Sequence, residues 1–148
     1  MDKIITPTNK KIFGYTTGVF DLFHIGHLNM LRNSKSMCDH LTVGVTSDEL
    51  VSYKHKKAVI PFKERFEIVR GIKYVDAVVG QYEIDKFVAW EKLKFDVLFV
   101  ADCWHRDEKW NEYERKLNNV GVKVIYIPYT QGISSTLINE VLLKLRNG

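Results

Sequence analysis

The chain has 148 residues, 45% of them hydrophobic and 27% charged, with a formal net charge of +4 at pH 7. That length suits one compact domain with a real core and leaves no room for a second; the positive balance favours an acidic partner, whether nucleic acid, an anionic surface or a phosphorylated small molecule. Cys38 and Cys103 are too few for a disulfide framework, MDKIITPTNKK lacks the apolar core of a signal peptide, and no apolar run reaches the roughly 20 residues that span a bilayer, so a reducing, cytoplasmic setting without membrane anchoring is expected.

Residues 1–11 form a polar lead, and the remainder, 12–148, reads as a single domain. KIFGYTTGVF (11–20) reads as a buried strand running into a Gly-bearing turn, followed by a helix over 25–37. HLTVGVTS (40–47) is a second strand. A helix starts at Pro61, with Phe62, Phe66 and Val69 at the i, i+4, i+7 spacing. YVDAVVG (74–80) gives a third strand, DKFVAWEKLK (85–94) a helix and FDVLFVAD (95–102) a fourth strand. After a polar segment, 104–121, VKVIYIPY (122–129) gives a fifth. Leu137, Val141 and Leu145 then mark a last amphipathic helix, with Ser134 or Ser135 as its N-cap. Short Val/Ile-rich strands alternating with helices predict an α/β fold: a Rossmann-like open parallel sheet of about five strands with helices on both faces.

In such a sheet ligands bind outside the carboxyl ends of the strands. The chemically distinctive residues fall on that edge: His24 and His27 after strand one, Lys54 to Lys57 after strand two, Asp102 to His105 after strand four, and Thr130 to Thr136 after strand five. A lone histidine at a helix start is commonly a cap or a surface group. Two flanking Gly26 at a strand-to-helix turn are a different matter, because amide N–H groups and the positive end of the helix dipole meet there and imidazole donors complete a cradle for phosphate. Gly26 lets a ligand approach the backbone closely. Zinc is the competing reading for a histidine pair, but it needs further ligands, and Cys38 falls at the far end of the helix; no protein-held metal is expected.

GVFDLFHIGH (18–27) resembles the HxGH signature of the nucleotidyltransferase superfamily, in its cytidylyltransferase branch. YKHKK is similar to that branch's lysine-rich loop, ERFEIVRGIKYVDAVV to its arginine-bearing helix and following strand, and TQGISST to its closing segment. The order and spacing of these blocks, over residues 12 to 140, most resemble the small bacterial glycerol-3-phosphate cytidylyltransferases. The resemblance implies catalytic roles for His24, His27, Lys54, Lys56 and Arg65 at the phosphates, with Lys57 a surface charge. It also implies nucleotide contacts from Gly18, Val19, Phe20, Gly26, Asp102, Trp104, Thr130, Gly132, Ile133, Ser134, Ser135 and Thr136, and a homodimer. By their residue types alone, Arg65 could equally pair with Glu64 or Glu67 on the helix surface, and Ser135 and Thr136 could be caps. Trp90 and Trp110 read as core or interface residues.

The reaction so implied joins CTP to a phosphorylated alcohol, with glycerol 3-phosphate the first choice; nucleic acid is not the expected partner. Mg²⁺ would arrive on the triphosphate with several waters still bound, requiring few protein carboxylates, with Asp21 either an outer-sphere contact or a helix-entry residue. Rival readings are an adenylyltransferase of the same superfamily using ATP, although Asn139 stands where many of those have arginine, and a non-catalytic nucleotide-binding protein, suggested by departures at Val19, Cys103 and Tyr129. The letters HIGH also occur in class I aminoacyl-tRNA synthetases, but this chain has no room for tRNA-binding domains. Cys103 and Tyr129 are the candidate specificity positions. Tyr129 replaces an arginine that is common before the closing segment, exchanging a charged fork for a hydroxyl and an aromatic face.

Overall fold

The computed structural model describes residues 10–53, 57–101, 108–128 and 145. Five parallel strands, β1 (Phe13–Gly18), β2 (His40–Thr46), β3 (Ala77–Gln81), β4 (Val97–Ala101) and β5 (Lys123–Ile127), form one sheet in the order β3-β2-β1-β4-β5. The helices between them are α1 (Ile25–Lys35), α2 (Asp48–Tyr53), α3 (Phe62–Arg70), α4 (Lys86–Leu93) and α5 (Glu108–Asn119). The expected α/β architecture is therefore present. All five strands start and stop within a few residues of the expected spans, whereas α2 and α5 were not expected. Of the last helix, anticipated to start near Ser134, only Leu145 is among the described residues; it is helical and exposed.

Strand alternation divides the core. Leu41, Val43, Val45, Val97, Phe99 and Ile127 pack with Leu31 of α1 and Val69 of α3, while Tyr15, Leu98 and Val100 pack with Trp110 and Leu117 of α5 and with partly buried residues of α4. Each such large apolar side chain contributes roughly 1.5–3 kcal/mol on full burial. Trp110 donates from Nε1 to the Tyr126 hydroxyl at 3.0 Å, so Trp110 is a core residue as expected. Trp90 is half-buried against the same cluster, with the Lys94 ammonium 3.9 Å from its ring centroid.

At the amino edge of the sheet an aspartate precedes each of three strands and accepts a backbone N–H from the neighbouring strand. Asp39 takes Ile12 N at 2.7 Å, Asp96 takes Phe13 N at 2.9 Å and Asp76 takes Leu41 N at 2.8 Å. Although partial burial opposes its ionised form, the Lys35 ammonium 2.6 Å away and the Leu41 N–H hold the Asp76 carboxyl below its usual range. These carboxylates set register at the edge opposite the one with the histidines.

From β1 the chain proceeds to β2 and β3 on one side and later to β4 and β5 on the other. The carboxyl ends of β1 and β4 therefore flank the point where strand order reverses, which is where open α/β sheets bind their ligands. Among the described residues, no helix is long and apolar enough to cross a membrane.

Candidate functional site

The turn from β1 into α1 carries both histidines and is tightly specified. Phe20 and Leu22 have φ of 54° and 50°, left-handed values that non-glycine residues rarely adopt and that cost of order 1–3 kcal/mol each unless the surroundings impose them. Phe20 is buried in the core. A Cβ on Gly18 would stand 2.9 Å from the Phe20 ring, so glycine at this position lets the ring fold back over the end of β1.

His24 is the N-cap of α1. Its Nδ1 accepts the backbone N–H of Gly26 at 3.0 Å, and the backbone N–H of His24 donates to Nδ1 of His27 at 3.2 Å. This is a capping box built from two imidazoles where Ser or Thr with Glu is the usual pair. The rings stack with centroids 4.0 Å apart. His27 also lies against Phe20 and Phe23, at centroid distances of 5.5 and 5.2 Å.

This arrangement fixes the protonation chemistry. An Nδ1 that accepts a backbone N–H carries no proton, so each neutral ring bears its hydrogen on Nε2 and presents a donor. Burial lowers the pKa of His24, and burial followed by the neighbouring His24 ring lowers that of His27 to about 4, against the opposing charge of Asp21. At pH 7 both are uncharged donors at the amino end of a helix, suited to an anion whose charge grows during reaction. An NMR titration should therefore find His27 titrating near pH 4, well below the free-imidazole value of about 6.5. Because its folded pKa is depressed, the stability that His27 contributes is fully present above pH 6.5 and is lost as pH falls from there toward 4. An ordinary imidazole midpoint for His27 would contradict this geometry.

Arg65, expected at the phosphates, is fully buried. Its Nε donates to Ile60 O at 2.7 Å, Nη1 to Val19 O at 2.8 Å and Thr46 O at 2.7 Å, and Nη2 to the Asp48 carboxylate at 2.6 Å. Four of the five N–H donors of a guanidinium thus serve the protein itself, joining the ends of β1 and β2 to the start of α3. Its acidic partner is Asp48, not Glu64 or Glu67. The Phe62 N–H and the Arg65 guanidinium hold the Asp48 carboxyl below the usual range.

Asp21, weighed as a metal contact or a helix-entry residue, is buried and accepts Val59 N at 2.8 Å and Ile60 N at 2.9 Å. Among the described residues no group of three His, Cys, Asp or Glu side chains gathers as a metal site. The donor set itself fits a metal that travels on the nucleotide: both histidine Nδ1 atoms are engaged, and Nε2 bears hydrogen.

The structure thus brings Gly18, Val19, Phe20, His24, Gly26 and His27 into one turn, with Arg65 directly beneath it. Lys54, Lys56, Asp102, Cys103, Trp104, Tyr129, Thr130, Gly132, Ile133, Ser134, Ser135 and Thr136 lie outside the described residues. Asp48 belongs to no motif in the sequence; its signal there is an acid just past a strand end, at the amino terminus of a short helix.

Residues 15–141 match the family model described as cytidylyltransferase-like. The chain is 35% identical over 132 residues to the glycerol-3-phosphate cytidylyltransferase of Staphylococcus aureus, covering 86% of this chain and 92% of that one. It is 37% identical over 111 residues to an FAD synthase of Archaeoglobus fulgidus, covering 75% and 80%. Among solved structures, a lipopolysaccharide core biosynthesis protein from Thermoplasma volcanium superposes with a TM-score of 0.71 at 27% identity, over 84% of this chain and 100% of that one. A turn carrying two paired imidazoles at the switch point of a β3-β2-β1-β4-β5 sheet and a family match spanning nearly the whole chain lead to one conclusion: the protein belongs to the cytidylyltransferase-like family and is a nucleotidyltransferase.

Proposed function

We propose that the enzyme transfers CMP from CTP to a phosphorylated alcohol, with glycerol 3-phosphate the preferred acceptor, releasing pyrophosphate. The observation that carries this reading is the pair of neutral imidazoles with Nδ1 fixed and Nε2–H available at the start of α1. A phosphate oxygen of the acceptor attacks the α-phosphorus; the new P–O bond forms as the bond to the bridging oxygen breaks, and pyrophosphate leaves with that electron pair. A phosphomonoester is already largely ionised at pH 7, its second pKa being near 6, so no residue has to remove a proton. His27, with its pKa near 4 and its Nδ1 lone pair engaged, is not suited to that role.

The chain's contribution is positioning and charge stabilisation. His24 and His27 donate to the triphosphate as charge builds toward the leaving group, and Lys54 and Lys56 supply positive charge around it. Mg²⁺ bound to the triphosphate would offset part of its charge. Tyr129 and Cys103 are placed in this reading near the acceptor. The FAD synthases among the relatives, enzymes of the adenylyltransferase type, support a second reading in which ATP is the donor.

Pyrophosphate release with magnesium distinguishes the two. CTP with glycerol 3-phosphate is expected to exceed ATP with FMN, and to exceed CTP with phosphocholine, phosphoethanolamine or a sugar phosphate. Lys54→Ala and Lys56→Ala are expected to slow turnover and Lys57→Ala to do so much less. Tyr129→Arg is expected to shift the acceptor ranking. A clear preference for ATP moves the assignment to adenylyl transfer, and an unchanged ranking in Tyr129→Arg makes that position structural.

A further inference from the structure

The strained turn between β1 and α1 is held from below by a closed circuit. Ile60 N donates to Asp21 Oδ1 at 2.9 Å, Arg65 Nε donates to Ile60 O at 2.7 Å, and Arg65 Nη1 donates to Val19 O at 2.8 Å. The backbone through Phe20 completes the ring from Val19 back to Asp21. Val59 N adds a second bond to Asp21 Oδ2 at 2.8 Å. The circuit is anchored outward through Arg65 to Thr46 O and to Asp48, whose other oxygen accepts Phe62 N at 3.1 Å. Both left-handed residues, Phe20 and Leu22, adjoin Asp21, and Phe20 is one of the three rings against which His27 rests. A displacement of this turn therefore passes directly to His27 and, through the shared capping box, to His24.

We propose that Asp21 is a positioning residue for the transfer reaction: by closing the ring with Ile60 and Arg65 it imposes the strained turn and so fixes the two Nε2–H donors at the phosphate. This rests on the reading of His24 and His27 as phosphate donors. Both carboxylate oxygens face backbone amides, which ties Asp21 to the turn. Donors held within fractions of an ångström are effective only in the transition state, so the effect belongs in kcat.

The test is Asp21→Asn, which keeps the shape but turns an NH₂ toward one of the two amides it should accept. The folded variant, verified by its thermal transition, is expected to lose about tenfold or more in kcat with KM for the nucleotide changed by less than about threefold. Combined with His27→Ala, it should cost clearly less than it does alone, because the part of its effect that passes through His27 is already lost and only the part through His24 remains. Independently of turnover, ¹⁵N spectra of the imidazoles should show a single Nε2–H tautomer in the wild type and a tautomer mixture in Asp21→Asn. Additive losses, an unchanged tautomer, or a raised Mg²⁺ requirement as the main effect would each overturn the proposal. If the wild type releases pyrophosphate from neither CTP nor ATP, the functional reading fails, while the spectra still decide whether Asp21 sets the imidazoles.

Discussion

His27→Ala leaves a folded protein whose kcat is lower by at least about a hundredfold, the scale of losing one donor to a developing oxyanion. The side chain is not in the deep core, so the fold survives; what disappears is an Nε2–H whose direction the backbone of His24 had fixed. His24 has two tasks, and they separate. His24→Ala removes both the phosphate donor and the α1 cap and should lower stability by about 0.5–2 kcal/mol as well as rate. His24→Asn keeps an oxygen able to accept the Gly26 N–H, so its melting temperature should stay near wild type while kcat falls as far as in the alanine variant. Steady-state kinetics beside thermal melts check this, and near-normal turnover in His27→Ala would sink the phosphate cradle.

Arg65→Ala is expected to be the most destabilising of these substitutions, by about 3–5 kcal/mol in urea titration, a large share of a typical domain's stability. It opens a void under the site and strips the donor from three carbonyl groups, those of Val19, Thr46 and Ile60, which belong to three different segments. Arg65→Lys keeps a positive charge, yet a single ammonium cannot reproduce the fork, so most of the loss should remain. The resemblance to cytidylyltransferases implies a phosphate contact for this arginine. That role would show itself if Arg65→Ala melted within a degree or two of wild type while kcat collapsed.

The contrast between Arg65 and the histidines shows where the sequence was legible. HxGH is a local signal: its hydrogen bonds run between residues two and three apart, so residue types and spacing nearly dictate the outcome. Arg65 draws its partners from positions 5, 17, 19 and 46 residues away, and no local pattern on α3 announces that it points inward. β2 to β5 were readable because each is a short run rich in Val, Ile or Leu, and β1, FGYTTG, because its aromatic and β-branched residues run into a Gly-bearing turn. α5 was not, since EKWNEYERKLNN is mostly polar, although Trp110, Tyr113 and Leu117 mark one helical face. α2, with six residues, is too short to establish a period and merges with the end of β2. The edge aspartates Asp39, Asp76 and Asp96 carry no local signal, because each accepts from a segment distant in sequence.

The placement of β1 at the centre of the sheet bears on how the chain is made. Its first flank, β2, follows at once, but its second, β4, begins at Val97, with the Phe13–Asp96 bond linking residues 83 apart. Closing so long a loop carries a larger entropic cost than pairing β1 with β2 or β4 with β5, which makes it a late event in folding. During synthesis the HxGH turn leaves the ribosome well before the strand that forms the other wall of its crevice. In that interval a nascent chain carries the paired imidazoles without the strand that flanks them, and the open side of β1 is the edge most in need of shielding from foreign strands.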